Sequence, residues 1–194
     1  MVLDRPDAQL IGLSRQGDRE AFAGLVTRYQ QKVFTVALRL LQDREEARDV
    51  TQEAFIRAYR NLSRFHTGAA FSPWICAIAV NLARDCWRRR QREPGPFPGD
   101  DGDGSLPDVP DDRYSPEKIW AAKEKRQAVQ RAVAALPWDY RVTVTLRHFQ
   151  NMSYEEIARS LGLPLNTVKT RLRRGRLMLQ KELAPWLAGE EGNG

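Results

Sequence analysis

Apolar residues recur every three or four positions along most of the chain, and this spacing predicts α-helices with one buried face. The first clear run lies within residues 22–41, and Asp18 precedes it as a candidate N-cap. The second run, within residues 47–62, follows Asp43, which has Glu46 three residues later in the arrangement of a capping box. These two runs predict a pair of long antiparallel helices.

A third amphipathic segment follows Ser72 and Pro73, which predict an N-cap and a first-turn proline. Its apolar positions lie within residues 74–82, and it ends in the basic run at residues 88–92. A short helix at residues 8–15 is expected to pack against the longer ones. The first part of the chain therefore predicts a helical bundle.

The C-terminal part of the chain also predicts helices. Ser115 and Pro116 repeat the cap-and-proline start, and the segment after them is expected to be helical to about Leu136. Residues 141–146 have strand propensity. An isolated strand in a helical domain would have no sheet to join, so we predict that this segment is helical.

Two short segments near the C terminus predict a helix-turn-helix. Ser153 and Glu156 have the spacing of a capping box, and Gly162 stands where a helix needs a C′ residue in the left-handed conformation. Pro164 begins the next helix, and no acidic residue occurs in residues 157–181.

The second helix of this unit has a polar and basic face opposite its apolar one. Such a face suits the DNA major groove, where arginine and lysine reach guanine acceptors and nearby phosphates. The alternative is a solvated basic face on an ordinary helical hairpin. We favour DNA binding because the cap, the glycine turn and the acid-free helix coincide. The predicted DNA-contacting residues are Asn166, Thr167, Lys169, Thr170, Arg171, Arg173 and Arg174.

The formal charge of +6 is distributed unevenly along the chain. Residues 1–92 carry 16 basic and 10 acidic side chains, residues 93–116 carry 1 and 7, and residues 117–194 carry 14 and 8. The middle segment also holds six of the eleven prolines and four glycines. We therefore predict an all-α protein in which a flexible acidic linker, residues 93–116, joins two small basic domains, residues 1–92 and 117–194.

Several classes of protein are disfavoured by composition. Two cysteines and two histidines provide little material for a metal site or a histidine-based catalytic set, so we expect no metal, no cofactor and no enzymatic activity. The longest apolar run, residues 74–80, is far shorter than the roughly 20 residues that cross a bilayer. The chain start lacks a signal-peptide core, so we expect a soluble cytoplasmic protein without membrane insertion.

Both domains resemble one family, the extracytoplasmic function (ECF) group of bacterial sigma factors, which are promoter-recognition subunits of RNA polymerase. The order of the two domains and the linker between them are also those of the family. The segments that carry the resemblance are residues 17–22 (GDREAF), 49–55 (DVTQEAF), 71–81 (FSPWICAIAVN), 136–137 (LP), 154–158 (YEEIA) and 167–172 (TVKTRL).

The resemblance implies how the N-terminal domain would contact polymerase. Its second long helix would dock on the clamp of the largest subunit, and the flap region would be a further polymerase contact. Polar groups around an aromatic anchor are a common interface composition. The alternative is a solvated helix face with the aromatic residue in the core. The residues implied are Asp49, Gln52, Glu53 and Phe55.

The resemblance also implies contacts with the −10 promoter element. The loop between the second and third helices would capture an unstacked base, with Phe65 stacking or bracing, and arginines on the third helix would hold phosphates. The alternatives are a plain connector with Phe65 buried, and an Asn81 amide that satisfies a neighbouring backbone group. The residues implied are Phe65, His66, Thr67, Asn81, Arg84 and Arg88.

The implied function is that of a sigma factor that binds core polymerase, recognises −35 and −10 elements and promotes initiation, with an anti-sigma factor as a further partner. The alternative is a two-domain helix-turn-helix regulator that acts on duplex DNA without being a polymerase subunit. In the holoenzyme the linker would be stretched. In the free protein the two domains are able to fold back on the acidic segment or on each other.

Overall fold

The computed structural model describes residues 5–66, 68–92 and 116–190, with side chains described for all of these except 116–123 and 187–190. This part of the chain is all-α, as predicted, and it contains no strand. Its helices are α1 (Asp7–Arg15), α2 (Arg19–Leu41), α3 (Arg44–Asn61), α4 (Phe71–Arg92), α5 (Pro116–Ala135), α6 (Trp138–Phe149), α7 (Tyr154–Leu161) and α8 (Leu165–Glu190), with a 3₁₀ turn at Leu62–Arg64.

Helices α1 to α4 form the N-terminal bundle, in which α2, α3 and α4 pack on one another and α1 packs on α2. The Asp18 side chain accepts a hydrogen bond from the Ala21 amide at 3.1 Å, which confirms the predicted cap of α2. Fully buried aliphatic residues such as Leu25, Val36 and Ile75 fill the space between these helices. Burial of this apolar surface is the main driving force for the bundle.

The capping box predicted at the start of α3 is only half present. Asp43 accepts a hydrogen bond from the Glu46 amide at 2.9 Å. The Glu46 carboxylate instead pairs with Arg90, near the end of α4, at 2.5 Å. Arg90 also donates to the Leu41 carbonyl at 3.2 Å, so one side chain ties the turn between α2 and α3 to α4.

The predicted start of α4 was two residues too late. The helix begins at Phe71, so Ser72 and Pro73 lie within its first turn instead of Ser72 being its cap. Proline is tolerated there because the first amide groups of a helix have no intrahelical acceptor. The helix begins earlier than predicted because the Phe71 side chain, 1% exposed, packs in the core.

Helices α5 to α8 form the C-terminal domain. Residues 141–146 lie in α6, which confirms the helical prediction for this segment. The capping box of Ser153 and Glu156 is complete at the start of α7, and Gly162 has φ 63° at its end, as predicted. α7 and α8 therefore form the helix-turn-helix with a left-handed glycine at the turn.

The two domains pack against each other, with α2 against α5 and α6, and α4 against α7. Most of the buried apolar residues of both domains belong to one continuous cluster. The predicted linker, residues 93–116, lies outside the described residues except for its last position. No helix in the described part of the chain is long and apolar enough to cross a membrane.

Candidate DNA-binding surfaces and protein-docking groove

The first turns of α8 form the basic face predicted to read DNA. Val168 and Leu172 are 0% and 1% exposed and fasten the inner side of α8 to its own domain. The side chains of the residues predicted to contact DNA therefore point outward or along the flanks of α8. Asn166, Lys169, Thr170, Arg173 and Arg174 are exposed, whereas Thr167 and Arg171 are half-buried.

The cations of α8 differ in their surroundings. Arg171 pairs with Asp139 of α6 at 2.7 Å, and Arg176 donates to the Tyr154 hydroxyl at 2.8 Å. Within the described residues, Arg173 and Arg174 make no ion pair or hydrogen bond. Arg173 and Arg174 are consequently available to base edges or phosphates without first losing a protein partner.

The Phe65 side chain does not have the stacking position that the sequence suggested. It is 4% exposed, and its ring centroid lies 4.8 Å from that of Trp74 and 5.9 Å from that of Phe71. The loop backbone is fixed by Arg15, which donates to the Leu62 carbonyl at 3.0 Å and to the Phe65 carbonyl. Phe65 is therefore buried, as in the alternative that the sequence left open, and its ring braces the loop from inside.

The other residues predicted for the −10 element are distributed between this loop and α4. His66 is exposed, and Thr67 lies outside the described residues. Asn81 is exposed and Arg84 and Arg88 follow at spacings of three and four, so all three share one stripe of α4. Among the described residues the Asn81 amide has no hydrogen-bond partner, which leaves it free to contact a ligand.

A cleft of about 810 Å³ lies between the two domains. One wall is formed by Arg84, Trp87 and Arg88 of α4, and the other includes Thr170 and Arg174 of α8. The structure thus brings part of the predicted −10 set to face part of the predicted −35 set. The cleft is not lined by His66 or Asn81.

A second depression, the α2/α3 groove, has a volume of about 840 Å³. Of the four residues predicted to bind polymerase, only Gln52 and Phe55 line it; Asp49 is exposed and Glu53 is half-buried, and both lie outside its lining. Phe55 is 6% exposed, so its ring belongs to the core and supplies only the floor of the groove. The full set of lining residues is Phe22, Val26, Gln30, Gln31, Phe34, Arg44, Arg48, Thr51, Gln52, Phe55, Ile56, Tyr59 and Arg60.

The hydrophobic pattern of the sequence did not reveal the exposed apolar residues of this groove. Ile56 and Tyr59 are 38% and 41% exposed, and the Tyr59 ring lies 4.9 Å from that of Phe22. The sequence did contain a signal for them: both are large apolar residues of α3 that lie outside the helical spacing of its core face, and such residues indicate an exposed apolar patch. These two side chains are the accessible apolar anchors of the α2/α3 groove.

The two cysteines, Cys76 and Cys86, are free thiols buried inside the N-terminal bundle. Burial raises the pKa of Cys76 to about 12, and burial also raises the pKa of Cys86, with the Glu46 carboxylate adding to the effect. Both thiols are therefore poor nucleophiles at neutral pH. Within the described residues, no cluster of histidine, cysteine and acidic side chains has the arrangement of a metal site.

Comparisons with known proteins match both domains. Residues 25–93 match the Sigma-70 region 2 family, and residues 126–179 match the Sigma-70 region 4 family. The chain is 37% identical to the RNA polymerase sigma-H factor of Pseudomonas aeruginosa, over 96% of this chain and 98% of the relative. It is 36% identical to the ECF RNA polymerase sigma-E factor of Escherichia coli K12, over 92% of this chain and 95% of the relative.

Solved structures share the fold. CnrH, in complex with the cytosolic domain of CnrY, matches with a TM-score of 0.69 and 24% identity, over 92% of this chain and 97% of that one. The sigma factor RpoE of Bartonella quintana, in complex with the anti-sigma factor NepR, matches with a TM-score of 0.65 and 24% identity, over 84% of this chain and 96% of that one.

Proposed function

Because the chain belongs to the ECF group of RNA polymerase sigma factors, we propose that its two domains divide promoter recognition between them. The protein binds core RNA polymerase, recognises −35 and −10 promoter elements and promotes initiation. The observation that carries this conclusion is the similarity to sigma factors over both domains and nearly the full length of both chains. A regulator that acts without polymerase does not account for the region 2 match.

In this proposal the C-terminal domain reads the −35 element through α8. Arg174 and Thr170 lie on the exposed face, where an α-helix in the major groove meets base edges. The polar residue Asn166 stands at the start of the same face. Arg171, held by Asp139, is better suited to a phosphate at the flank.

The N-terminal domain would contact the −10 element with the loop around His66 and the α4 stripe. The Asn81 amide offers both a donor and an acceptor to an unstacked base. Arg84 and Arg88 would neutralise phosphates of the same strand. Phe65 contributes by holding the loop in place, because its own ring is buried.

The α2/α3 groove is our proposed docking site for the clamp of the largest polymerase subunit. Ile56 and Tyr59 supply exposed apolar surface at its wall, and Gln52 supplies a polar contact. Asp49 and Glu53 would act as charged neighbours outside the groove, although Glu53 is already paired with Arg57 at 2.8 Å. Aromatic anchors surrounded by polar residues are typical of such interfaces.

The proposal also includes two further partners and a location. An anti-sigma factor is a fitting partner, since the fold is shared with a sigma factor solved in complex with one. The polymerase flap is the expected contact of the C-terminal domain. The protein would work in the cytoplasm, where it meets polymerase and promoter DNA, and it would take part in transcription without catalysing a reaction of its own.

Reconstituted transcription tests the proposal. The protein is added to sigma-free core polymerase and a promoter library, and specific transcripts are expected only when both are present. Tyr59→Ala and Ile56→Ala should weaken core binding, whereas Glu20→Ala, which changes an exposed residue of α2 outside the groove, should not. A protein that binds duplex promoters but starts no transcript would contradict the assignment.

A further inference from the structure

Arg15, the last residue of α1, holds two backbone carbonyls that lie 47 and 50 positions later in the chain. Its Nε atom donates to the Leu62 carbonyl at 3.0 Å, and its Nη2 atom donates to the Phe65 carbonyl. The N–H groups of a guanidinium lie in one plane at fixed angles. Two bonds from one guanidinium therefore fix both carbonyls relative to each other and to α1. We name these two bonds the Arg15 fork.

The two carbonyls bracket the turn that leads into the loop proposed to read the −10 element. The Leu62 carbonyl also accepts a hydrogen bond from the Phe65 amide at 3.2 Å, which closes the 3₁₀ turn. Phe65 then has an extended backbone, with φ −67° and ψ 128°, and the next residue, His66, is exposed. The direction in which the chain leaves the bundle at His66 is thus set at Phe65.

Phe65 is held through its side chain and through its backbone by two different helices. Its ring packs against Trp74 and Phe71 of α4, whereas its carbonyl is bound by Arg15 of α1. Contacts of the ring restrain the side chain, but they do not fix the ψ angle of Phe65, which orients the carbonyl and the peptide that follows. The Arg15 fork supplies this restraint, because the carbonyl loses its hydrogen bond if it turns away.

α1 gives the fork a stable base, since it is fixed to the bundle along its length. Near its start, Asp7 accepts a hydrogen bond from the Tyr29 hydroxyl of α2. In its middle, Leu10 is fully buried in the core. After its end, Gly17 has φ 96°, and the chain turns at once into α2. The backbone of Arg15 is therefore held in place relative to α2 while its side chain reaches the loop.

A loop that is arranged before binding holds a base more tightly than a loop that the base must order. Fixing a backbone conformation costs entropy, and a ligand that has to do so binds less tightly. Beyond Phe65, the Ala69 amide donates to the His66 carbonyl at 3.0 Å, a local bond that does not attach the loop to the bundle. Within the described residues, the loop is attached at its beginning through the Phe65 ring and the Arg15 fork.

We propose that Arg15 is a positioning residue for −10 recognition, because its two hydrogen bonds hold the loop after Phe65 in the arrangement that accepts an unstacked base. The inference rests on the proposed function, since it assumes that this loop captures a base of the −10 element. Arg15 acts through the two carbonyls and needs no DNA contact of its own. If one tenth of the molecules keep the arrangement without the fork, the affinity for a strand that the loop reads decreases about tenfold.

A direct phosphate contact is the alternative role for Arg15, since the residue is exposed and cationic. The two roles differ in what they require of the side chain. A phosphate contact needs a positive charge, which lysine also provides, and salt weakens it. The fork needs N–H groups in one plane that reach two separate carbonyls, and lysine does not reproduce this geometry.

Two substitutions of Arg15 and one control separate these roles. Arg15→Met removes both donors and keeps an unbranched apolar side chain, whereas Arg15→Lys keeps the charge without the fork. Arg19→Met is the matched control, because it removes the same charge from a nearby exposed residue that has no hydrogen bond or ion pair within the described residues. Denaturant unfolding compares the stability of the parent and the three variants. Arg15→Lys remains informative if Arg15→Met loses stability.

Binding is measured with holoenzyme assembled from the full chain and core polymerase. The probes are single strands of the −10 element, one intact and the others each lacking one base. The parent should bind less tightly to the strand that lacks the captured base, and a variant with residues 66–70 exchanged identifies that position because it loses this sensitivity. Arg15→Met should bind the intact strand about tenfold less tightly than the parent does, and the strand without the captured base almost equally well. Arg15→Lys should resemble Arg15→Met, and Arg19→Met should resemble the parent.

Three results would overturn the proposal, and they have different meanings. Equal weakening on both strands by Arg15→Met, with recovery in Arg15→Lys, would show that Arg15 is a phosphate contact. Undiminished sensitivity of both Arg15 variants to the captured base would reject the positioning role and leave the proposed function standing. A parent that tolerates every missing base would show that the loop captures none, so the proposed −10 role of the loop would fail together with the inference.

Discussion

Gly175 of α8 lies directly against Val144 of α6, and a β-carbon built on Gly175 would come within 2.8 Å of the Val144 Cγ2 atom. The absence of a side chain at this position lets the recognition helix approach α6 closely. The position of the proposed DNA-reading face relative to the rest of the C-terminal domain thus depends on a buried residue on the opposite side of α8.

Gly175→Ala should destabilise the protein by about 1–3 kcal/mol, because the added methyl group overpacks the contact between α6 and α8. Denaturant unfolding followed by circular dichroism measures this change. Gly12→Ala is the matched control, since nothing lies within 4 Å of its β-carbon and alanine favours a helix. Adding Val144→Ala to Gly175→Ala should recover part of the loss, and simple additivity of the two effects would contradict the packing argument.

Arg174→Ala should relax the preference for one base pair of the −35 element and weaken binding by about 1–3 kcal/mol. Arg174 is exposed and has no partner among the described residues, so its loss should not disturb the fold. A base-by-base binding profile of the holoenzyme measures the effect. Lys181→Ala, later on the same helix, should weaken all sequences slightly and equally. An unaltered profile for Arg174→Ala would reject base contact by this residue.

Exchanging residues 66–70 for another sequence, with Phe65 retained, should change the −10 preference and leave core binding intact. Phe65 is kept because its buried ring supports the loop from the core. Promoter selection from a randomised −10 library measures the preference, and native gel shift with core polymerase measures association. If the exchange left the selected −10 sequences unchanged, the loop would have no part in promoter recognition.

Asn81→Ala should reduce transcription from promoters that need the −10 contact while stability stays constant. The Asn81 side chain is exposed and makes no hydrogen bond within the described part of the protein, so it has no structural contact to lose. Initiation on an intact promoter and on a pre-melted one distinguishes base recognition from duplex opening. A fall in unfolding free energy would instead indicate a structural role.

Stability of the C-terminal domain should decrease as the pH falls below about 6.5, the ordinary pKa of histidine. Partial desolvation of the His148 imidazole, together with Arg176 and Arg147 nearby, lowers its pKa. At a pH below the ordinary pKa of histidine, the unfolded chain therefore binds a proton at His148 that the folded chain does not yet bind. The free energy of unfolding falls with pH over this range, until the pH is below the folded-state pKa as well. Unfolding of His148→Gln at pH 5.5 and 7.5 should show a smaller pH dependence than the parent, and equal slopes would refute this origin.

Local sequence determined the helices and several of their ends, although not the start of α4. The Asp18 cap, the complete capping box of Ser153 and Glu156, and the left-handed Gly162 could be predicted because each depends on residues only a few positions apart. The same is true of the exposed face of α8, since helical spacing alone separates Val168 and Leu172 from the polar side. The helix-turn-helix was therefore accessible to sequence reasoning.

Tertiary structure decided which side chains remain available to partners. The family resemblance placed Phe55 and Phe65 in functional segments, but only packing against other helices showed that both rings are buried, leaving Ile56 and Tyr59 as the exposed apolar side chains of α3. The stack of Trp87 on Trp138 and the hydrogen bond from Arg141 to Leu40 join residues far apart in sequence. Such contacts depend on the relative placement of whole helices, a property that no local pattern of residues encodes.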